Sequence, residues 1–110
     1  MTVFVFELFV AGSSARSRRA ETALRTICES RLGDRYQLSV VDVLEHPQRA
    51  EDDKILATPT LIKRSPRPPL RIIGDLSQTD AVIERLGLAS HPPRAKASEI
   101  VETASSGGRE

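Results

Sequence analysis

The run from Val3 to Val10 limits the folds open to this chain more than any other part of the sequence. In an extended strand, alternate side chains point to opposite faces, and here both faces are apolar except at Glu7. A strand that is apolar on both faces is typical of a central strand covered by helices on both sides. The run is also far shorter than the roughly 20 apolar residues that a membrane-spanning helix requires.

A helix and a second strand are predicted to follow this strand. Ser13 and Ser14 are suitable N-caps, apolar residues then recur at helical spacing to about Leu32, and Gly33 suits a helix end. The strand from Tyr36 to Val43 carries polar residues on one face, which favours a position nearer the edge of the sheet. Strand, helix and strand in this order predict two parallel strands joined by a right-handed crossover.

The second half of the chain consists of shorter elements interrupted by prolines. Pro47 suits the first position of a short helix, and residues 60–64 and 70–73 predict two short strands. The proline-rich connection between these strands forbids a helix. Ser77 is predicted to cap a last helix that ends near Leu86.

Together these elements predict one α/β domain over residues 1–88, in the order βαβαββα, with a mixed four-stranded sheet. This is the minimal thioredoxin-like order, and Thr58-Pro59-Thr60 lies where thioredoxin-like proteins place a cis-proline before the third strand. Residues 89–110 lose the apolar periodicity and are rich in Pro, Ser and Gly, so we predict a disordered C-terminal tail.

The residues that thiol or metal chemistry needs are missing from the expected positions. Thioredoxin-like enzymes carry Cys-x-x-Cys between the first strand and the first helix, where this chain has Gly12-Ser13-Ser14-Ala15. Cys28 is the single cysteine, which excludes an internal disulfide and fits a reducing cytoplasm. Its place on the apolar stripe of the helix indicates a small buried side chain. With two histidines and one cysteine there is no recognisable zinc set, so we predict a non-enzyme without cofactor or metal.

Charge argues against nucleic-acid and membrane binding. Sixteen basic residues face fifteen acidic ones, so the net charge of +1 gives no field that would attract either partner. The exception is local, because Arg16, Arg18 and Arg19 crowd the first turns of the first helix, where the helix dipole disfavours cations. Two interpretations stay open: contact with an acidic partner surface, or solvated side chains that Glu21 partly compensates.

Four motifs, in order along the chain, resemble the KaiB family of circadian clock proteins, and the resemblance spans about residues 3–88. The matching segments are Leu8–Gly12, Val41–Leu44 with Pro47-Gln48, Glu51–Leu61 and Arg71–Ser77.

This resemblance implies a non-catalytic protein that docks on the ATPase ring of KaiC, helps to sequester KaiA and displaces a competing sensor kinase. It also implies metamorphic behaviour between two folds. One is the thioredoxin-like state, which binds KaiC as a monomer. The alternative is a ground state in the order βαββααβ that forms tetramers.

The resemblance also assigns residues. It places the KaiC-facing segment on Gln48 to Lys54, in which Asp52, Asp53 and Lys54 match the family. It adds Arg19 and Arg71 as basic partner-binding positions. On the second strand, where the family often has a small residue and a lysine facing KaiA or kinase partners, this chain has Gln37 and Ser39.

The resting state is predicted from the last helix. Relatives that rest as tetramers carry Gly and Asp where this chain has Arg85 and Gly87. Arg is the better helix former inside a helix, and Gly suits the position just after one. We therefore expect a mainly thioredoxin-like monomer with a cis Pro59, and the homotetramer as the alternative.

Two other functions remain open from the sequence. The chain also resembles the KaiB-like sensor domain found at the start of clock histidine kinases. That domain has the same fold and the same target, KaiC. The third interpretation is a redox-inactive thioredoxin-like binding domain.

Overall fold

Strand β1 (Phe4–Val10) lies inside a four-stranded sheet of order β2-β1-β3-β4. The computed structural model describes residues 2–89 and residue 91. The remaining elements are α1 (Ala15–Leu32), β2 (Tyr36–Asp42), α2 (Pro47–Asp52), β3 (Thr60–Ser65), β4 (Leu70–Ile73) and α3 (Thr79–Arg85). The predicted βαβαββα order and α/β thioredoxin-like class are confirmed.

The pairing of the strands also agrees with the prediction. β1 pairs in parallel with β2, so that Phe4 lies opposite Tyr36, and the α1 crossover joins them. β1 pairs antiparallel with β3, and β3 antiparallel with β4, which makes the sheet mixed. β2 is an edge strand, as its one polar face indicates.

The two faces of β1 contribute to two separate apolar clusters. Phe6 and Leu8 are fully buried in the larger cluster, together with side chains from α1, β3, β4 and α3. Phe9 points to the opposite face and forms a smaller cluster with Val41 and Ile62. The sheet therefore has one well-covered face and one face with a small apolar centre.

The helix ends confirm one predicted cap and correct another. The Ser14 side chain accepts a 3.2 Å hydrogen bond from the backbone N–H of Ser17, and Gly33 follows α1 with a φ of 65°. Ser77 does not cap α3, because the helix begins at Thr79 and Ser77 lies two residues earlier, in the preceding loop, where its backbone N–H donates to the Asp75 carboxylate. The N-cap is Gln78, and its side chain makes no capping hydrogen bond within the described part of the chain.

Three X-Pro bonds are cis in the part of the chain that the structure describes. The Thr58–Pro59 bond is cis as predicted, and the Ser65–Pro66 and Arg67–Pro68 bonds of the proline-rich connection are cis as well. Within the described residues, no helix is long and apolar enough to cross a membrane.

Most of the predicted tail, residues 89–110, lies outside the described residues. Of that segment, Ala89 and His91 are described. The His91 carbonyl accepts a 3.2 Å hydrogen bond from the Arg31 guanidinium at the end of α1.

A pair of leucine substitutions tests this arrangement of the core. Leu24 of α1 is fully buried, whereas Leu56 is 94% exposed. Leu24→Ala should lower the free energy of unfolding by about 3–5 kcal/mol, through lost transfer free energy and a new cavity. Leu56→Ala should change it by less than about 0.5 kcal/mol. Urea denaturation of both variants measures the difference, and equal losses would contradict the described packing.

Candidate partner-docking site

Helix α2 and the turn after it form the surface that holds most of the predicted partner-binding residues. They lie on the sheet face that carries Phe9, because the Arg49 guanidinium stacks 5.8 Å from the centre of the Phe9 ring. Ile55, just after the helix, packs against the same small cluster. Among the residues that the structure describes, none in α2 itself is fully buried, and all of them are exposed except Ala50, which is half-buried.

Four charged side chains join α2 to the sheet beneath it. The Glu7 carboxylate of β1 accepts from Arg49 at 2.7 Å through Oε2 and from Arg64 at 2.8 Å through Oε1. Arg64, on β3, also donates to the Asp53 carboxylate at 2.7 Å. We call Glu7, Arg49, Asp53 and Arg64 the ionic cluster.

The charge state of Arg64 reflects this pairing. Partial burial works against a charged guanidinium, but its hydrogen bonds to Asp53 and Glu7 outweigh that cost and raise the pKa of Arg64 above its usual range. The guanidinium therefore stays charged and continues to bridge both carboxylates.

Arg71 of β4 fixes the turn that ends α2. Its guanidinium donates to the Asp53 carbonyl at 2.7 Å and to the Lys54 carbonyl at 3.2 Å. Lys54 has a φ of 53°, in the left-handed region that non-glycine residues seldom adopt. The fork of an arginine can satisfy two carbonyls at once, so Arg71 offsets the cost of this turn.

The outward side of this segment presents a different set of groups. Gln48 donates to the Asp52 carboxylate at 2.8 Å, and the side chains of Asp52 and Lys54 are exposed. Two leucines flank them, Leu44 at 71% and Leu56 at 94% exposure. The surface thus combines charge with exposed apolar area.

The structure brings five of the six predicted partner-binding residues together and separates the sixth. Gln48, Asp52, Asp53, Lys54 and Arg71 lie in or against the α2 segment, as the hydrogen bonds above show. Arg19 lies on α1 instead, with its Nε 3.6 Å from Asp75 Oδ2, beside a cleft of about 610 Å³ between α1 and the loop after β4.

The arginines at the start of α1 are compensated by a different acidic residue from Glu21, which the sequence suggested. Glu21 pairs with Arg25 at 3.0 Å, whereas the carboxylate that faces Arg19 is Asp75. Hydrogen bonds from the Ser77 side chain and backbone lower the pKa of Asp75, and Arg19 and Arg16 lower it further. Asp75 is therefore ionised and partly compensates these arginines.

Sequence reasoning missed the ionic cluster. Glu7 appeared only as an interruption of an apolar strand, although a charge on a central strand is itself a signal that a partner must be near. Its partners stand 42 and 57 residues away in the chain, so no local spacing identifies them.

The place where thioredoxin-like enzymes carry their thiols is occupied by structural hydrogen bonds. The Gly12 backbone N–H donates to the Asp42 carboxylate at 3.0 Å, and Ser14 caps α1. The hydrogen bonds from Gly12 and Leu44 lower the pKa of Asp42, which keeps this acceptor charged. Across the described residues, no group of three or more His, Cys, Asp or Glu side chains is placed to hold a metal ion.

Comparison with known proteins gives consistent results. The family model described as the KaiB domain matches residues 7–88. Circadian clock protein KaiB3 of Synechocystis is 50% identical over 88 residues, which cover 80% of this chain and 84% of that protein.

Solved structures with the same fold include two kinds of protein. The N-terminal domain of Synechococcus elongatus SasA has a TM-score of 0.64 at 21% identity, covering 79% of this chain and 86% of that one. Mitochondrial thioredoxin 3 of Saccharomyces cerevisiae has a TM-score of 0.62 at 18% identity, covering 80% and 81%. At these identities the likeness establishes the thioredoxin-like fold alone.

The thiol of Cys28 provides a test of the non-redox interpretation. Burial raises its pKa from the ordinary 9.0 to about 12, so it stays protonated and shielded at neutral pH. Because the unfolded thiol ionises first, this group favours the folded state below pH 9.0 and loses that contribution as the pH rises towards 12. A thiol-reactive disulfide reagent at pH 8 should label the native protein at least about a hundredfold more slowly than the urea-unfolded protein. Equal rates would show that Cys28 is accessible.

Proposed function

Because this chain belongs to the KaiB family of circadian clock proteins, a non-enzymatic family, we propose that it docks on the ATPase ring of a KaiC-like protein. The observation that carries this proposal is the α2 segment, Gln48 to Lys54. Its outer side chains are exposed while its backbone is held from beneath by Arg71. A prearranged surface binds with a smaller loss of conformational entropy than a mobile one.

The proposed residues divide into two groups by their contacts. The Asp52 and Lys54 side chains are exposed and face a partner directly. Asp53 and Arg71 are engaged within the domain, with Arg64 and with two backbone carbonyls, and support the surface from below. Arg19, on α1, is proposed as a secondary contact outside this surface.

A KaiA-like protein or a sensor kinase is the second class of partner that we propose. In the family, their surface lies on the second strand. Here β2 is an edge strand, and Gln37 and Ser39 replace the family's frequent small residue and lysine, a departure that weighs against a KaiA-like partner. The proposed setting is the cytoplasm, with neither nucleic acid nor a membrane as a partner.

A charge reversal at Lys54 tests the docking surface. Lys54→Glu should weaken binding to a KaiC homologue from the same genome by about tenfold or more, because the partner's complementary charge is then left unpaired or repelled. The matched control is Arg67→Glu, an exposed reversal after the other end of β3. Titration by fluorescence anisotropy measures both, with urea denaturation to show that each variant folds. Equal affinities for Lys54→Glu and the unaltered protein would refute the assignment.

The resting state that we propose is the thioredoxin-like monomer. Two features of the end of α3 support it. The Arg85 guanidinium donates to the Arg71 carbonyl at 3.2 Å, which ties the helix to the outer edge of β4. Gly87 has a φ of 75°, a conformation that an aspartate adopts at a cost. Both favour this packing over the βαββααβ tetramer.

Substitutions at Arg85 and Gly87 test the equilibrium between the thioredoxin-like monomer and the tetramer. Arg85→Gly with Gly87→Asp should disfavour the α3 end by about 1 kcal/mol or more, which shifts the equilibrium between the two folds of each single chain about fivefold towards the tetramer-forming fold. Arg85→Ala separates the two contributions of this residue, since it keeps the helix propensity and removes only the hydrogen bond to Arg71. Sedimentation velocity should find a monomer for the natural sequence and a larger species for the double variant. A tetramer formed by the natural sequence would contradict the proposal.

A further inference from the structure

We propose that Glu7 is a positioning residue for the docking surface: through the ionic cluster it holds helix α2 in the orientation that a partner recognises. This inference rests on the proposed function, because only that proposal gives α2 a binding partner. Glu7 belongs to β1 and lies outside the segment from Gln48 to Lys54, so its effect on binding is indirect.

Helix α2 has few of the features that usually hold a helix in place. It is six residues long, whereas an isolated helix below about 12–15 residues is marginal in water. Within the described part of the chain, none of its residues is buried and its N-cap, His46, makes no side-chain hydrogen bond. Propensity, capping and apolar burial of the helix itself therefore contribute little to its position.

The ionic cluster supplies attachments at both ends of the helix. Arg49 lies in the first turn of α2 and binds Glu7, while Asp53 follows the last residue and binds Arg64. Arg64 also binds Glu7, so a single carboxylate on the central strand connects β3 with the two ends of α2.

The two oxygens of Glu7 serve different arginines. Oε2 accepts from Arg49 and Oε1 from Arg64, so each ion pair has its own acceptor. The Glu7 side chain is only 19% exposed, and partly buried pairs are screened by salt less than surface pairs. An exposed pair elsewhere in the domain, Arg25 with Glu21, connects neighbouring turns of one helix and positions nothing.

The structure therefore separates two roles within one site. The exposed side chains make the contact, and Glu7 sets where helix α2 lies, while Arg71 holds the turn with Lys54 that follows it. Loss of the Glu7 charge should loosen α2 while the larger core, on the other face of the sheet, keeps its packing.

The experiment compares Glu7→Gln with Glu21→Gln in the full-length protein. Glu21→Gln is the matched control, because it removes the same charge from the surface pair with Arg25. For Glu7→Gln we expect the backbone amides of Asp53 and Ile55 to exchange about fivefold faster or more, with amide shift changes that extend over residues 49–55. Amides of α1 should keep their rates, and Glu21→Gln should leave α2 unaffected.

The second measurement is affinity for the KaiC homologue used above. Glu7→Gln should weaken binding by about fivefold or more, and Arg49→Gln added to Glu7→Gln should weaken it little further, because the pair is already broken. Additive losses would show that the two residues act separately and would overturn the cluster as a unit.

The two measurements distinguish failure of this inference from failure of the proposed function. Unchanged α2 exchange in Glu7→Gln overturns the positioning role whether or not any partner binds. Faster α2 exchange with unchanged affinity also overturns it, and leaves docking through Lys54 standing. If the natural sequence does not bind the homologue at all, the proposed function fails, and with it the link from Glu7 to docking.

Discussion

Burial of β1 on both faces is the constraint on which the rest of the structure depends. Phe6 and Phe9 are both fully buried, on opposite sides of one strand. A strand in that position requires a neighbour on each edge and cover on each face. The crossover through α1 provides one neighbour and one cover, and β3 provides the other neighbour. The second face receives only the small helix α2, and the proposed docking surface lies there.

A charge on that strand has consequences beyond its own position. Removing a carboxylate from water is costly unless it is paired and hydrogen-bonded. Glu7 meets this requirement with two arginines, one from β3 and one from α2. The same contacts that make Glu7 tolerable in the sheet thus attach helix α2, for which we propose a docking role. The pairing of Glu7 therefore serves both the stability of β1 and the placement of α2.

The first half of the fold is predictable from sequence because its signals are local. Two-residue periodicity in β1, helical spacing in α1 and the Ser14 cap all lie within the segments that they describe. The candidate site is predictable only in part. Asp52 and Lys54 stand in a recognisable motif, but the pairing of Glu7 with Arg64 depends on the antiparallel register of β1 and β3. The Ser77 cap failed because the helix begins one residue later than the pattern suggested, with Gln78 as its N-cap, and because Ser77 is instead engaged by the Asp75 carboxylate.

The balance between apolar burial and polar contacts also distinguishes the two halves of the domain. Helix α1 buries six residues, whereas α3 buries one and α2 none, as far as the described residues extend. In the second half, Arg64, Arg71 and Arg85 replace part of that apolar cover with hydrogen bonds to carboxylates and carbonyls. Such bonds contribute about 1 kcal/mol each, and alternative packings of a metamorphic chain differ by only a few kcal/mol. If this chain exchanges between the two folds that the family resemblance implies, the larger buried area of α1 favours its staying unchanged. These three arginines, being few, specific and individually weak, then set the balance between the two arrangements of the second half.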